Sequence, residues 1–277
     1  MDWFLLALLA GTASNIFNVV NRSTLKEKGD STLFSWLFEV LRLCIFICAF
    51  LINPIFPQEL STYGWLIALG LNETASVYFF MKSHRHTKLS LSTFLIKLQL
   101  IWTPLLAYIL IQERLNNADY LGIGIILLGI FVGVYSPKMK ADKGIIVTFI
   151  SSFLISLNAV YTKAAAGDAS TPFILIMMSL PSVFFFPFLM KQFRVRIQDM
   201  SIHFVKSNAV GVLFNVVAMS LAVGAIRLGS TSKVTAVYQG MMIISILYGI
   251  VVLKEKDRII QKLVGTAITV FGLTLLV

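Results

Sequence analysis

Charge is scarce in this chain. Asp, Glu, Lys and Arg make up 13% of 277 residues, whereas a soluble domain needs about 25% to cover its surface. An ordinary soluble globular fold is therefore excluded. Cysteine is nearly absent: Cys44 and Cys48 lie four residues apart in one apolar stretch. On a helix they stack along one face, which disfavours a disulfide between them, and they read as small apolar residues. The three histidines, His84, His86 and His203, lack the companions a metal site needs. No G-x-x-x-x-G-K-[ST] phosphate loop is present, so nothing points to an ATP-driven pump. No nucleophile–base arrangement suggests an enzyme, and no cofactor is implied. The net charge of +10 is dispersed over short loops rather than gathered in one patch, which argues against nucleic acid as a partner.

What is abundant is apolar sequence. Hydrophobic residues make up 57% of the chain and come in blocks of about 17 to 23, enough to cross a hydrocarbon core of about 30 Å. Blocks of that length imply helices rather than barrel strands, because backbone in a bilayer must satisfy its own hydrogen bonds. Ten spans are predicted, at 3–21, 32–53, 63–82, 89–111, 119–136, 144–163, 171–190, 205–225, 232–253 and 259–277. The fold class is an all-α polytopic membrane protein. The first block has the length of a signal peptide, but its leading segment carries Asp2 and no basic residue, so it reads as a retained span.

Lys and Arg are distributed unevenly between alternate loops. Seventeen of the 23 fall in the loops after spans 1, 3, 5, 7 and 9, and only Arg114, Lys163, Arg227 and Lys233 in the others. Short basic loops stay in the cytoplasm, which predicts that both termini face outward.

The spans form a duplication. Residues 63–135 and 205–277 follow one pattern, and a shift of 142 lays Glu73 on Asn215, Lys97 on Gln239 and Glu113 on Glu255. One further residue of slip lays Gly122 on Gly265 and Gly129 on Gly272. The two units are 1–136 and 137–277. Duplicated hydrophobic helices with polar residues at matching depths are how many secondary transporters build one site between two halves. The glycines read as close helix packing, within the chain or at a homodimer face.

An ionisable side chain inside a span costs at least about 2.5–3.5 kcal/mol on insertion scales, so each is a functional candidate. Glu39 and Arg42 are spaced i, i+3 and can pair on one face, as a structural pair or as a gate. Glu73 and Lys97 lie on consecutive antiparallel spans, and mutual neutralisation is the economical expectation. Their repeat mates, Asn215 and Gln239, keep hydrogen-bonding capacity without charge. A cavity lined by these four is thus pseudo-symmetric in position and asymmetric in charge. Asn15 and Asn18 share a face of span 1, and Asn158 and Tyr161 lie on its counterpart, span 6. All four can bond a solute or bridge helices. Tyr238, beside Gln239, adds an aromatic wall and a hydroxyl. Pro104, Pro181 and Pro187 interrupt spans and are candidate hinges.

The run LSTFLIKLQLIWTPLLAYILIQERLNNADYLGIGIILLGIFVGVY resembles the signature end of an EamA repeat of the drug/metabolite transporter superfamily. Its turn is Glu113, Arg114 and Leu115 and its glycines are Gly122 and Gly129; Glu255, Lys256, Gly265 and Gly272 repeat it. Arg42 also stands where that family often carries an arginine. The resemblance implies two inverted five-helix repeats around a central cavity, lined by spans 1–4 and 6–9 with spans 5 and 10 peripheral, and alternating access. Members move amino acids, drugs, sugars, nucleotide sugars or phosphorylated metabolites, often by proton coupling or exchange. The family is commonly drawn with cytoplasmic termini, the reverse of the charge bias here.

The expected function is secondary transport of a small polar or zwitterionic organic solute, with Glu73 as the candidate proton carrier, in the cell (inner) membrane. The partners are the solute, the lipid bilayer and protons. The alternative is a non-transporting membrane scaffold or a lipid-modification accessory subunit, which predicts a dry bundle.

Overall fold

The structure is a computed structural model that describes residues 3–25, 31–86, 95–135, 144–198, 200, 202–244 and 258–276. These residues form eleven helices and no strand: α1 Trp3–Leu25, α2 Ser31–Ile52, α3 Leu60–His86, α4 Gln99–Ile111, α5 Asn117–Val134, α6 Gly144–Ala166, α7 Thr171–Leu189, α8 Phe193–Gln198, α9 Ile202–Leu228, α10 Thr231–Gly240 and α11 Ile259–Thr274. Helix starts follow local chemistry. At α5, Asn116 and Asp119 cap each other's backbone N–H groups as a capping box. At α10, the Ser230 hydroxyl accepts from the Lys233 N–H.

Ten of these helices overlap the predicted spans, although α4 and α10 cover only 13 and 10 residues of theirs, and α8 is a short added element. Among the described residues, Thr32–Ile52, Ile145–Ala166, Thr171–Leu189 and Asn208–Leu228 are each long and apolar enough to cross a bilayer. Trp3–Phe17, Gln99–Ile111, Asn117–Gly133 and Ile259–Thr274 are shorter apolar helices. The start of span 4 and the end of span 9 lie outside the described residues. Near those positions helix geometry is interrupted. Lys97 and Leu98 form a turn before α4, with the Leu100 N–H donating to the Lys97 carbonyl at 3.0 Å, and Met241 ends α10.

The helices pack mainly across the repeat boundary, in exchange-related pairs. α1 packs on α9 as α3 packs on α6; α3 meets α7 as α2 meets α9; α4 meets α6 as α1 meets α10. The remaining major interfaces, α2 on α7, α4 on α10 and α5 on α11, join an element to its own repeat mate. Such a pattern requires a pseudo-two-fold axis through those three pairs. The α5–α11 contact also reveals the sense of the repeat. Gly129 faces Gly265 and Gly122 faces Gly272, so the two helices run antiparallel and the halves are inverted.

That contact shows what holds the bundle together. Lipid tails are as apolar as Leu, so membrane helices associate through close backbone packing rather than through the hydrophobic effect. A Cβ added at Gly265 would sit 2.5 Å from the Gly133 nitrogen and 2.6 Å from the Gly129 carbonyl oxygen; one at Gly129 would sit 2.6 Å from the Thr269 nitrogen. No side chain fits without parting the helices. Gly11 of α1 is similarly closed in by the Tyr238 carbonyl of α10, at 2.7 Å.

Candidate functional site

One end of the bundle is tied together by its connections. The chain reverses after α4 through Gln112, whose φ of 55° is left-handed, and the Glu113 N–H returns to the Ala107 carbonyl at 3.1 Å. This turn aims the Glu113 carboxylate at the start of α10. It accepts there from the Thr231 N–H (2.7 Å), the Ser232 N–H (3.0 Å) and the Ser232 hydroxyl (2.8 Å). A carboxylate at a helix N-terminus satisfies orphan donors and the macrodipole together. Lys163 likewise closes the C-terminal end of α9, donating to the Ile226 and Gly229 carbonyls at 2.8 Å each. Asp168, in the α6–α7 connection, accepts from the Glu59 N–H (3.0 Å) and the Gln58 N–H (3.1 Å). Those two donors hold its carboxyl below the ordinary aspartate value. Lys233 pairs with Asp119 at 2.9 Å, and Trp3 lies against Gly229. We call this end the tethered face.

Within the bundle, where α2, α3, α6, α7 and α9 converge, lies a buried polar network centred on Arg42. The guanidinium bonds Glu39 at 2.7 Å, one turn away on its own helix, and the Ser179 hydroxyl at 2.9 Å. It also reaches Asn215 Oδ1 at 3.4 Å and Glu73 Oε1 at 3.5 Å. One cation thus spans the repeat-equivalent positions 73 and 215. Glu73 Oε2 accepts from Ser76 at 2.9 Å and from Asn158 Nδ2 at 2.6 Å, and the Asn158 oxygen accepts from Asn72 at 2.6 Å. The carboxylate can only accept, so it orients the Asn158 amide with nitrogen toward it and leaves the Asn158 oxygen to accept from Asn72. Glu39, Arg42 and Glu73 are 1%, 3% and 7% exposed. Two carboxylates share one guanidinium, so the cluster holds one more negative site than positive.

A second polar group lies on the α4–α10 contact, on the pseudo-two-fold axis. Lys97 Nζ donates to Gln239 Oε1, and Gln239 Nε2 donates to Gln99 Oε1 at 2.9 Å. Lys97 and Gln239 are repeat mates, so the axis brings them together directly.

The mutual neutralisation expected of Glu73 and Lys97 does not form. Glu73 pairs with Arg42, and Lys97 turns to the amide of its own mate. Consecutive helices in this fold touch little while cross-repeat neighbours touch extensively; Glu73 finds its cation on the preceding helix, in Arg42, and not on the following one. Of the other sequence candidates, Glu39, Asn158 and Asn215 join the Arg42 network. Tyr238 donates to Ser14 Oγ at 2.6 Å, and Asn15 donates to the Gly11 carbonyl of its own helix at 2.7 Å. Tyr161 packs on Trp65, with ring centroids 5.8 Å apart. The side chains of Asn18, His84, His86, His203 and Glu255 lie outside the described residues. Sequence reasoning missed Asn72, Ser76, Gln99 and Ser179. Gln99, a polar residue in an apolar span two positions from Lys97, and Ser76, one turn from Glu73, were detectable from spacing alone.

An inverted helical repeat with buried charge between its halves defines a polytopic membrane protein of the transporter type. The sequence matches the EamA-like transporter family over residues 1–135 and again over 142–277, and the chain belongs to that family. No curated protein matches it. A solved crystal structure is similar in fold, with a TM-score of 0.79 at 14% identity, covering 99% of this chain and 97% of that one.

Proposed function

We propose that this chain is a secondary transporter of the cell membrane that carries a small polar or zwitterionic organic solute by alternating access, with proton coupling through Glu73. The observation that carries the reading is the Glu39–Arg42–Glu73 network, set between inverted repeats and joined on both sides by amides. An isolated ionic cluster at that depth is costly and is a functional site by default. Glu73 suits the carrier's role because it shares its cation with a second carboxylate, so one proton can enter the cluster without stranding a charge. The tethered face is the outward one by the distribution of Lys and Arg. Opening toward it requires release of the bonds from Glu113 to α10 and from Asp168 to the Gln58–Glu59 segment.

The test is transport in proteoliposomes. Glu73→Gln is expected to abolish proton-driven uptake while leaving counterflow exchange intact; unaltered coupling would refute the role of Glu73. Cysteines introduced near positions 73, 97, 215 and 239 should react with a water-soluble reagent, whereas a dry scaffold leaves them unlabelled.

A further inference from the structure

The geometry points to Lys97, Gln239 and Gln99 as a subsite for a carboxylate on the solute. This inference rests on the transporter reading above and deepens it. Lys97 has donors only, so the oxygen of Gln239 must face it. That orientation turns the Gln239 nitrogen toward Gln99, whose oxygen must accept, and so the Gln99 nitrogen points onward as a donor. A single lysine thereby polarises the whole chain. The groups left over at its ends, the other N–H bonds of Lys97 and the amide hydrogens of Gln99, are all donors.

Two further observations favour a ligand here. No carboxylate among the described residues lies within ion-pair distance of Lys97, so its charge is uncompensated within that part of the chain. Thr103, one turn beyond Gln99 on the same face of α4, is 0% exposed and its hydroxyl has no hydrogen-bond partner among the described residues. A hydroxyl and an amide on one face of α4, with the Lys97 ammonium in the turn just before it, suit an anion. One uncompensated cation matches a monoanion; a phosphate dianion would need a second, and Arg42 is already held by Glu39 and Glu73.

The rest of the solute follows from the opposite bias of the Arg42 network, where carboxylates outnumber the cation. Glu73 and Lys97 lie about 13 and 14 residues from Leu60 and Ile111, the tethered ends of their helices, which puts both roughly 20 Å along. A donor cluster and an acceptor-rich cluster at similar depth fit a small zwitterion carrying a carboxylate and an ammonium group.

The experiment is a thermal-unfolding screen of the full-length purified protein with free α-amino acids, their methyl esters, the corresponding decarboxylated amines and phosphomonoesters, in chloride-free buffer and again with added chloride. At least one free acid should stabilise the wild type, and its ester should not. Lys97→Met should raise the half-saturating concentration by about tenfold or more, as expected when a hydrogen bond to a charged group is lost. The exchange variant K97Q/Q239K, which returns the ammonium to the axis, should recover the preference for the acid over the ester. Equal stabilisation by acid and ester, an unchanged response in Lys97→Met, or stabilisation by phosphomonoesters or chloride alone overturns the subsite. So does a panel with no effect. A solute that is transported in proteoliposomes without needing a carboxylate sinks the subsite alone; a chain that transports nothing sinks the transporter reading itself.

Discussion

Arg42 is the residue whose removal should disturb this protein most. Its guanidinium is 3% exposed and contacts two carboxylates, at 2.7 and 3.5 Å, as well as Ser179 and Asn215. Arg42→Met keeps most of the side-chain volume and removes the charge, leaving Glu39 and Glu73 buried without their cation. Breaking a buried pair from one side costs about 3–5 kcal/mol, because the remaining charge is uncompensated. Replacing all the charged members with neutral groups of similar size is close to neutral. The triple variant Arg42→Met, Glu39→Gln, Glu73→Gln should therefore regain most of what the single variant loses. Reversible unfolding in mixed micelles of fixed composition, with the two carboxylate variants alone and combined, closes the cycle. The reasoning fails if Arg42→Met loses less than about 1 kcal/mol, or if the triple variant is no more stable than the single one. The first result would mean that the carboxylates never relied on Arg42. The second would mean that Arg42 acts through packing, for instance over the Phe38 ring, whose centroid is 5.5 Å from its guanidinium carbon.

Two further predictions concern the tethered face. Glu113→Ala removes three hydrogen bonds from the start of α10 and should cost about 0.5–2 kcal/mol, the usual range for a lost cap. It should also increase access of a water-soluble cysteine reagent to that face, measured with a reporter cysteine at the partly buried position 115; unchanged access would show that Glu113 does not hold the face closed. Asp168 offers a pH signature. Its carboxyl lies below the ordinary value in the folded chain, so its contribution is present above about pH 4 and is lost as the pH falls further through the folded value. Asp168→Asn should lower the unfolding midpoint at neutral pH and leave it unaltered in strong acid, where wild type and variant converge. A gap that persists in acid would assign the effect to something other than the carboxylate.

Much of the architecture is legible in the residues themselves. Apolar blocks of bilayer length, interrupted by short loops, dictate helices because lipid offers the backbone no hydrogen bonds. The shift of 142 residues reveals two copies, and an odd number of spans per copy makes the second run opposite to the first. The positions worth examining were legible too, since ionisable and amide groups in such blocks are rare and costly. Glu39 with Arg42 is a local pair, spaced one turn apart on a single helix, and spacing alone announces it.

Which residue meets which was decided by the tertiary structure. The sequence by itself made Glu73 and Lys97 natural partners, being one helix apart and opposite in charge. The fold separates them because helices of this bundle pack chiefly on the other repeat, where small residues let backbones approach. That packing brings Asn215 of the other repeat to an Arg42 already paired with Glu73 of its own repeat, and brings Lys97 to its own mate Gln239. Membership of a repeat can be read along the chain, but proximity across a pseudo-two-fold axis cannot, because it joins residues more than a hundred positions apart and exists only once both halves have docked.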